Sequence, residues 1–216
     1  MQSFLQALKV QRWDDHRYYH QNRINQTLHL VSAFSFLYCY ALLLKDPALA
    51  AIIAWLVSML TRQAGHFFFE PRDYDDLNHA TQEYKESIKV GYNLQRKRAL
   101  MAIWALSPLP LLVDPTLFGL FGAPANAGDL LRHVGYIWFF VGAAGFLFRI
   151  GQLFVQQDVM TGVVWAAKIL TDPFHDIQIY LKSPLYLFRK AESPHAGTGY
   201  EDCQEPDSDD EAEPAH

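Results

Sequence analysis

Apolar residues gather into four blocks along this chain, at 28–44, 48–69, 99–113 and 135–154, while the C-terminal end has almost none. A mean hydropathy of -0.04 therefore averages two opposite materials. A membrane-spanning helix needs about 20 mostly apolar residues, often with Trp or Tyr near its ends. The first, second and fourth blocks approach that length and are read as spans. The third is shorter, contains Pro108 and Pro110, and resumes at 117–121 after a polar break. It predicts a kinked span or a re-entrant segment, because proline interrupts the helix ladder.

Lys and Arg collect beside the cytoplasmic ends of spans. Lys9, Arg12, Arg17 and Arg23 precede the first block, and Arg72, Lys85, Lys89, Arg96, Lys97 and Arg98 separate the second from the third. Lys168, Lys182, Arg189 and Lys190 follow the fourth, whereas the other two connections hold only Lys45 and Arg132. This alternation predicts an all-α polytopic membrane helix bundle of about four transmembrane helices with both termini cytoplasmic. The alternative is a soluble all-α bundle with aromatic-rich buried helices, since Arg62, His66, Glu70 and Arg149 lie in or beside the apolar blocks. On that reading the basic alternation is coincidence.

Residues 1–27 read as an interfacial helix and 71–98 as a cytoplasmic helix running into the third block. The segment 159–189 reads as a second cytoplasm-facing stretch packed on the bundle. The bundle domain is expected over 1–190, followed by a disordered acidic tail over 191–216 that accounts for the net charge of -5. The charged, amphipathic N-terminal stretch predicts no cleavable signal. Cys39 and Cys203 are the two cysteines, which argues against a structural disulfide or a Cys-based zinc site. The bases follow membrane topology instead of clustering with exposed aromatics, so no nucleic acid is expected as a partner. The expected location is an integral membrane one: the cytoplasmic membrane of a bacterium or the endoplasmic reticulum of a eukaryote.

The residues able to carry chemistry are His20, Asn22, Asn25, His29, Gly65, His66 and Glu70. Positions four apart share a helix face, so His66 and Glu70 project together and offer an imidazole and a carboxylate to one metal. The first span leaves the cytoplasmic face and the second returns to it, which brings His20 and His29 toward His66 and Glu70. Three imidazoles and one carboxylate suit a divalent transition metal such as iron better than a hard cation. His175, within Asp172-Pro173-Phe174-His175-Asp176, and His79 are further candidates, although a capped helix start at the proline is the commoner reason for the former string. Arg62 and Arg149 either hold a lipid carboxylate or snorkel to headgroups. His133 belongs to the opposite face, and His16 and His195 have no context that marks them.

Two strings among these residues resemble a known family. Tyr19-His20-Gln21-Asn22-Arg23-Ile24-Asn25-Gln26-Thr27-Leu28-His29 resembles the first signature of the 2-hydroxy fatty acid dioxygenases, and Gly65-His66-Phe67-Phe68-Phe69-Glu70 resembles the second. The resemblance spans about residues 15–75. It implies an Fe(II)-dependent membrane enzyme that uses O2 to shorten a 2-hydroxy fatty acid by one carbon, the alpha-oxidation step of lipid metabolism. By position, His20, His29 and His66 carry over as metal ligands or essential histidines, with Glu70 as a ligand or the partner of one. The implied partners are a fatty acyl substrate, O2 and the membrane.

The competing class is a non-catalytic membrane scaffold or lipid-binding protein whose His and Glu residues pin the hairpin. A transporter is disfavoured because no span carries a row of ionisable groups. A histidine-box hydroxylase or desaturase is disfavoured because the sequence has no adjacent His-His pair.

Overall fold

The structure is a computed structural model that describes residues 3–187; the acidic tail expected over 191–216 lies outside the described residues. Among those residues there is no β-strand, only an isolated bridge between Asp75 and Ala80. The helices are α1 (Phe4–Tyr19), α2 (Arg23–Leu43), α3 (Pro47–Ile53), α4 (Leu60–Phe69), α5 (Gln82–Ile88), α6 (Leu94–Leu106), α7 (Ala127–Gln156), α8 (Val159–Tyr180) and α9 (Ser183–Tyr186). A π-helical stretch, Ala54–Met59, joins α3 to α4 without a break.

The starts of these helices follow from capping chemistry. The side chains of Ser3, Asn22, Asp46, Thr81, Asn93, Asn126 and Asp158 each accept a backbone N–H from the first turn they precede, satisfying donors that the helix leaves unpaired. Asn22 matters most for function. By restarting the helix only three residues after α1 ends, it forces a corner whose apex is His20.

Three helices are long and apolar enough to cross a membrane: Arg23–Leu43, Pro47–Phe69 and Ala127–Gln156. The fourth expected span differs. Its block forms α6 and then a 3-10 turn, Leu109–Leu112, on the far side of Ser107 and Pro108, because two prolines in three residues cannot continue an α ladder. The segment nevertheless follows α7 along most of its length. Tyr92 donates to Gln152 at one end and His133 meets the Pro115 carbonyl at the other, positions about 28 Å apart on α7 at 1.5 Å per residue. The expected four spanning helices are thus three unbroken ones and one broken segment. The cytoplasmic helix expected over 71–98 is also interrupted: α5 ends at Ile88 and Asn93 caps a new helix.

Small residues set the closest helix approaches, as in membrane bundles generally. Gly135 on α7 faces the Ala48 backbone of α3, and Gly65 on α4 faces Asn25 of α2. Ala33, Ala48 and Ala50 are buried, and the Ser58 hydroxyl donates to Ser35 across the α2 contact. Trp104 of α6 donates its indole N–H to the Trp138 carbonyl at 2.9 Å and packs beside Trp55. Many large apolar side chains point outward, Leu44, Leu112, Phe148 and Val155 among them, as a lipid-facing surface requires.

α8 packs against α1, α2 and α7. It runs straight through Pro173, so the helix start expected at that proline is corrected: the helix begins fourteen residues earlier, at the Asp158 cap. The turn before the ring is met from α2, where the Tyr40 hydroxyl donates to the Leu170 carbonyl.

Candidate metal centre

Three imidazoles converge where the α1–α2 corner meets the end of α4. His20 ends α1, His29 lies on the second turn of α2, and His66 sits next to Gly65 on α4. Their ring centroids are 4.1 Å apart for His20 and His29, 5.0 Å for His29 and His66, and 5.2 Å for His20 and His66. One ring nitrogen from each lies within 4.8 Å of one from each other. All three are buried, His29 completely.

Gly65 permits this convergence. A Cβ at that position would fall 2.1 Å from Asn25 Oδ1 and 3.4 Å from His29 Cδ2, so only glycine lets α4 approach α2 this closely. Asn25 in turn donates its amide to the Tyr19 carbonyl at 2.9 Å, and Gln26 donates to the His20 carbonyl at 2.8 Å. These two buried bonds pin the corner on which His20 is carried.

The nitrogens of the cluster are short of partners. Both ring nitrogens of His20 and both of His29 are buried without a hydrogen bond among the described residues. A buried polar atom left unsatisfied costs about 1–3 kcal/mol, and four in one place are paid for poorly by packing alone. Burial, followed by the neighbouring His29 and His66 rings, holds the His20 imidazole well below its ordinary value. His20 is therefore neutral near pH 7, the form that offers a lone pair to a cation. The residues fit a divalent transition metal: three neutral nitrogen donors at mutual distances that one ion can bridge.

Glu70 stands beside the trio. Its Oε2 lies 2.7 Å from His66 Nδ1, and its Oε1 pairs with the Lys89 ammonium at 3.0 Å. Burial raises the carboxyl, but the His66 hydrogen bond and Lys89 outweigh it and hold Glu70 at about 2. An ionised carboxylate only accepts, so His66 Nδ1 carries the proton and its Nε2 is the donor atom left for the cluster. Both Glu70 oxygens are thereby engaged, one by His66 Nδ1 and the other by Lys89.

The other sequence candidates fall elsewhere. His175 is half-buried with its ring 5.3 Å from His16, one histidine removed from the trio. His79 is exposed at φ 49 in the tight Asp75–Ala80 loop and is not among the three. His133 stacks on Phe121 far along α7. Arg62 is committed to carboxylates within the bundle: it pairs with Asp176 at 2.9 Å and Asp172 at 3.4 Å. Arg149 bonds Gln152 and the Val90 carbonyl instead of snorkelling.

Sequence reasoning missed His16, whose Nδ1 meets the Tyr180 hydroxyl and whose ring lies 5.6 Å from His20. Burial pushes His16 down to about 3, against the opposing charge of Asp176. The four-residue spacing of His16 and His20 on α1 was a readable signal. Asp176, 3.6 Å from His29 Nδ1, was missed as well.

Residues 9–79 match the family described as Mpo1-like, 2-hydroxy-palmitic acid dioxygenase Mpo1-like. No curated protein and no solved structure matches the chain.

Proposed function

We propose for this chain, whose residues 9–79 match the Mpo1-like family, the activity of an iron-dependent membrane dioxygenase that shortens 2-hydroxy fatty acids by one carbon. The observation that carries this reading is the buried His20, His29 and His66 trio, with the ring nitrogens of His20 and His29 lacking hydrogen bonds among the described residues, all within the matched segment. His20, His29 and His66 would hold Fe(II), and bound there it would supply the redox chemistry by which O2 is activated. Overall, a 2-hydroxy acid and O2 balance as a fatty acid one carbon shorter, CO2 and water.

The chain's own residues then have distinct tasks. Glu70 fixes the His66 ring by accepting from Nδ1. The close contact at Gly65 keeps α2 and α4 tight over the cluster and excludes bulk water. Lys97 meets the carboxylate of the substrate. Of the cations beside the cluster, Arg62 is engaged with Asp172 and Asp176, Lys89 with Glu70 and Glu86, and Lys168 with Asp15 and Asp172. The Lys97 side chain has no hydrogen bond or ion pair among the described residues, yet its charge reaches His66, His29 and Glu70. It sits in the first turn of α6, beside Arg98, which covers the Phe67 ring next to His66 at 5.6 Å. Burial pushes its ammonium down to about 8, so it remains largely charged at neutral pH. The acyl chain lies along the apolar helices.

The test is oxygen uptake by detergent-purified, iron-loaded protein given 2-hydroxypalmitate, with palmitate as control. Consumption with the hydroxy acid alone, and a product one carbon shorter, supports the reading. No consumption with either refutes it. The ion pairs that tie α1, α4 and α8 together favour a second reading, a non-catalytic lipid-binding bundle. On that reading His66→Ala lowers stability while the wild type takes up no metal.

A further inference from the structure

The polar face of α8 recurs at every fourth position, Lys168, Asp172, Asp176 and Tyr180, one stripe along the helix. None of it lies in the matched segment 9–79. Lys168 pairs with Asp15 of α1 and Asp172, and Asp172 with Arg12 and Arg62. The next two positions reach the cluster itself. Asp176 Oδ2 lies 3.6 Å from His29 Nδ1, and the Tyr180 ring packs edge-on to His29 and His20 at 6.3 and 6.1 Å. Just beyond, Ser183 donates to Gln26 at 2.7 Å, and Gln26 in turn holds the His20 carbonyl.

Asp176 is 2% exposed. Like Glu70 beside His66, it is a buried carboxylate on the Nδ1 side of an imidazole, although at 3.6 Å it is in ion-pair range of His29 and not hydrogen-bonded to it. His29 Nδ1 has no hydrogen bond among the described residues and Asp176 is the acid in range of it. Arg62 donates to the same Asp176 oxygen at 2.9 Å and so fixes the carboxylate from the α4 side.

We propose that Asp176 is the positioning residue of His29, an α8 carboxylate that sets the Nδ1–H tautomer and leaves Nε2 for the metal. The centre is then built from two parts of the chain, the matched hairpin and a helix some hundred residues downstream. A carboxylate on the remote nitrogen of a ligating histidine fixes ring and tautomer and raises its basicity, and losing it typically weakens metal binding 10- to 100-fold. This proposal rests on the reading of the three histidines as a metal site.

The experiment is an anaerobic competition titration of Co(II), standing in for Fe(II), on the full detergent-purified chain. Wild type is compared with Asp176→Asn and Asp172→Asn. Each substitution removes one of the two carboxylates of Arg62, and Asp172 also pairs with Arg12 and Lys168 but with no imidazole among the described residues, so the melting temperature without metal should fall at least as far in Asp172→Asn as in Asp176→Asn. Metal affinity should separate them: about 10- to 100-fold weaker in Asp176→Asn and within about twofold of wild type in Asp172→Asn. Equal affinity in wild type and Asp176→Asn overturns the positioning role alone. An equal loss in both variants also overturns it, because the effect then belongs to the charge balance of Arg62. A wild type that takes up no metal overturns the proposed function and this inference with it. Should Asp176→Asn not fold, the charge-neutral pair Arg62→Gln with Asp176→Asn removes both ions, and the same loss is expected of it.

Discussion

Gly65→Ala puts a single methyl group at the narrowest point of the site. Its Cβ would lie 3.2 Å from Asn25 Cγ and 2.1 Å from Asn25 Oδ1, the latter more than an ångström inside ordinary contact. Asn25 is fully buried and its amide is committed to the Tyr19 carbonyl. Either the Asn25 side chain turns, breaking that bond at about 1 kcal/mol, or α4 backs away from α2 at the usual overpacking cost of about 1–3 kcal/mol. Against this stands the helix propensity gained when alanine replaces glycine, about 1 kcal/mol. The net expectation is a destabilisation of up to about 2 kcal/mol against wild type. Because His29 Cδ2 is the next atom, at 3.4 Å, metal affinity should fall along with stability. Gly145→Ala on α7 is the control, since a Cβ there meets nothing within 4 Å. Thermal melts in detergent and metal titrations of both variants decide the matter. A Gly65→Ala protein as stable as Gly145→Ala, with wild-type metal affinity, would refute the close-packing argument.

Glu70→Gln should lower stability at neutral pH by a few kcal/mol. The folded Glu70 carboxyl is held below its ordinary 4.5, at about 2, so its contribution is complete above pH 4.5 and disappears as pH falls toward 2. Melts of wild type and variant should converge over that window, and a constant gap would contradict the assignment. Lys97→Met should move stability and function in opposite directions. The folded ammonium sits at about 8 against an ordinary 10.5, so its charge opposes folding below pH 8 and that cost fades between 8 and 10.5. The variant should melt higher at pH 7, by on the order of 1–3 kcal/mol, while its KM for 2-hydroxypalmitate rises and no longer increases through pH 8. An unchanged KM would remove Lys97 from substrate binding. Gly135→Ala brings a Cβ to 2.4 Å from the Ala48 carbonyl oxygen, a backbone atom that cannot turn aside. It should cost about 3 kcal/mol in a melt while leaving metal affinity unchanged, and a parallel loss of metal would show that the α3–α7 contact is coupled to the site.

Much of the site was legible because its signals are local. His66 and Glu70 are four apart on one helix, Asn22 is a recognisable cap, and hairpin order alone predicts that His20 and His29 meet the end of the second span. The apolar blocks likewise predicted the three long helices. What stayed hidden depends on long-range packing. The proline pair after α6 showed that the third block would break, but its path along α7 is set by the contacts of Tyr92 and Pro115 at its two ends. Asp172 and Asp176 read as a helix start around Pro173 because local chemistry favours a proline there. Their role appears only when α8 is laid against Arg62 and His29. Lys97 looked like one of several cytoplasmic bases, and nothing local distinguishes a cation with a counter-ion from one without.

The most direct test of the account is the metal content of the detergent-purified chain, by mass spectrometry after anaerobic Fe(II) loading, for wild type beside His20→Ala, His29→Ala and His66→Ala. Near-stoichiometric iron in the wild type, lost in each variant while the helix content stays intact, is the predicted result. A wild type that holds no iron, or variants that hold it equally well, would contradict the account and leave the three histidines as packing elements of a lipid-binding bundle.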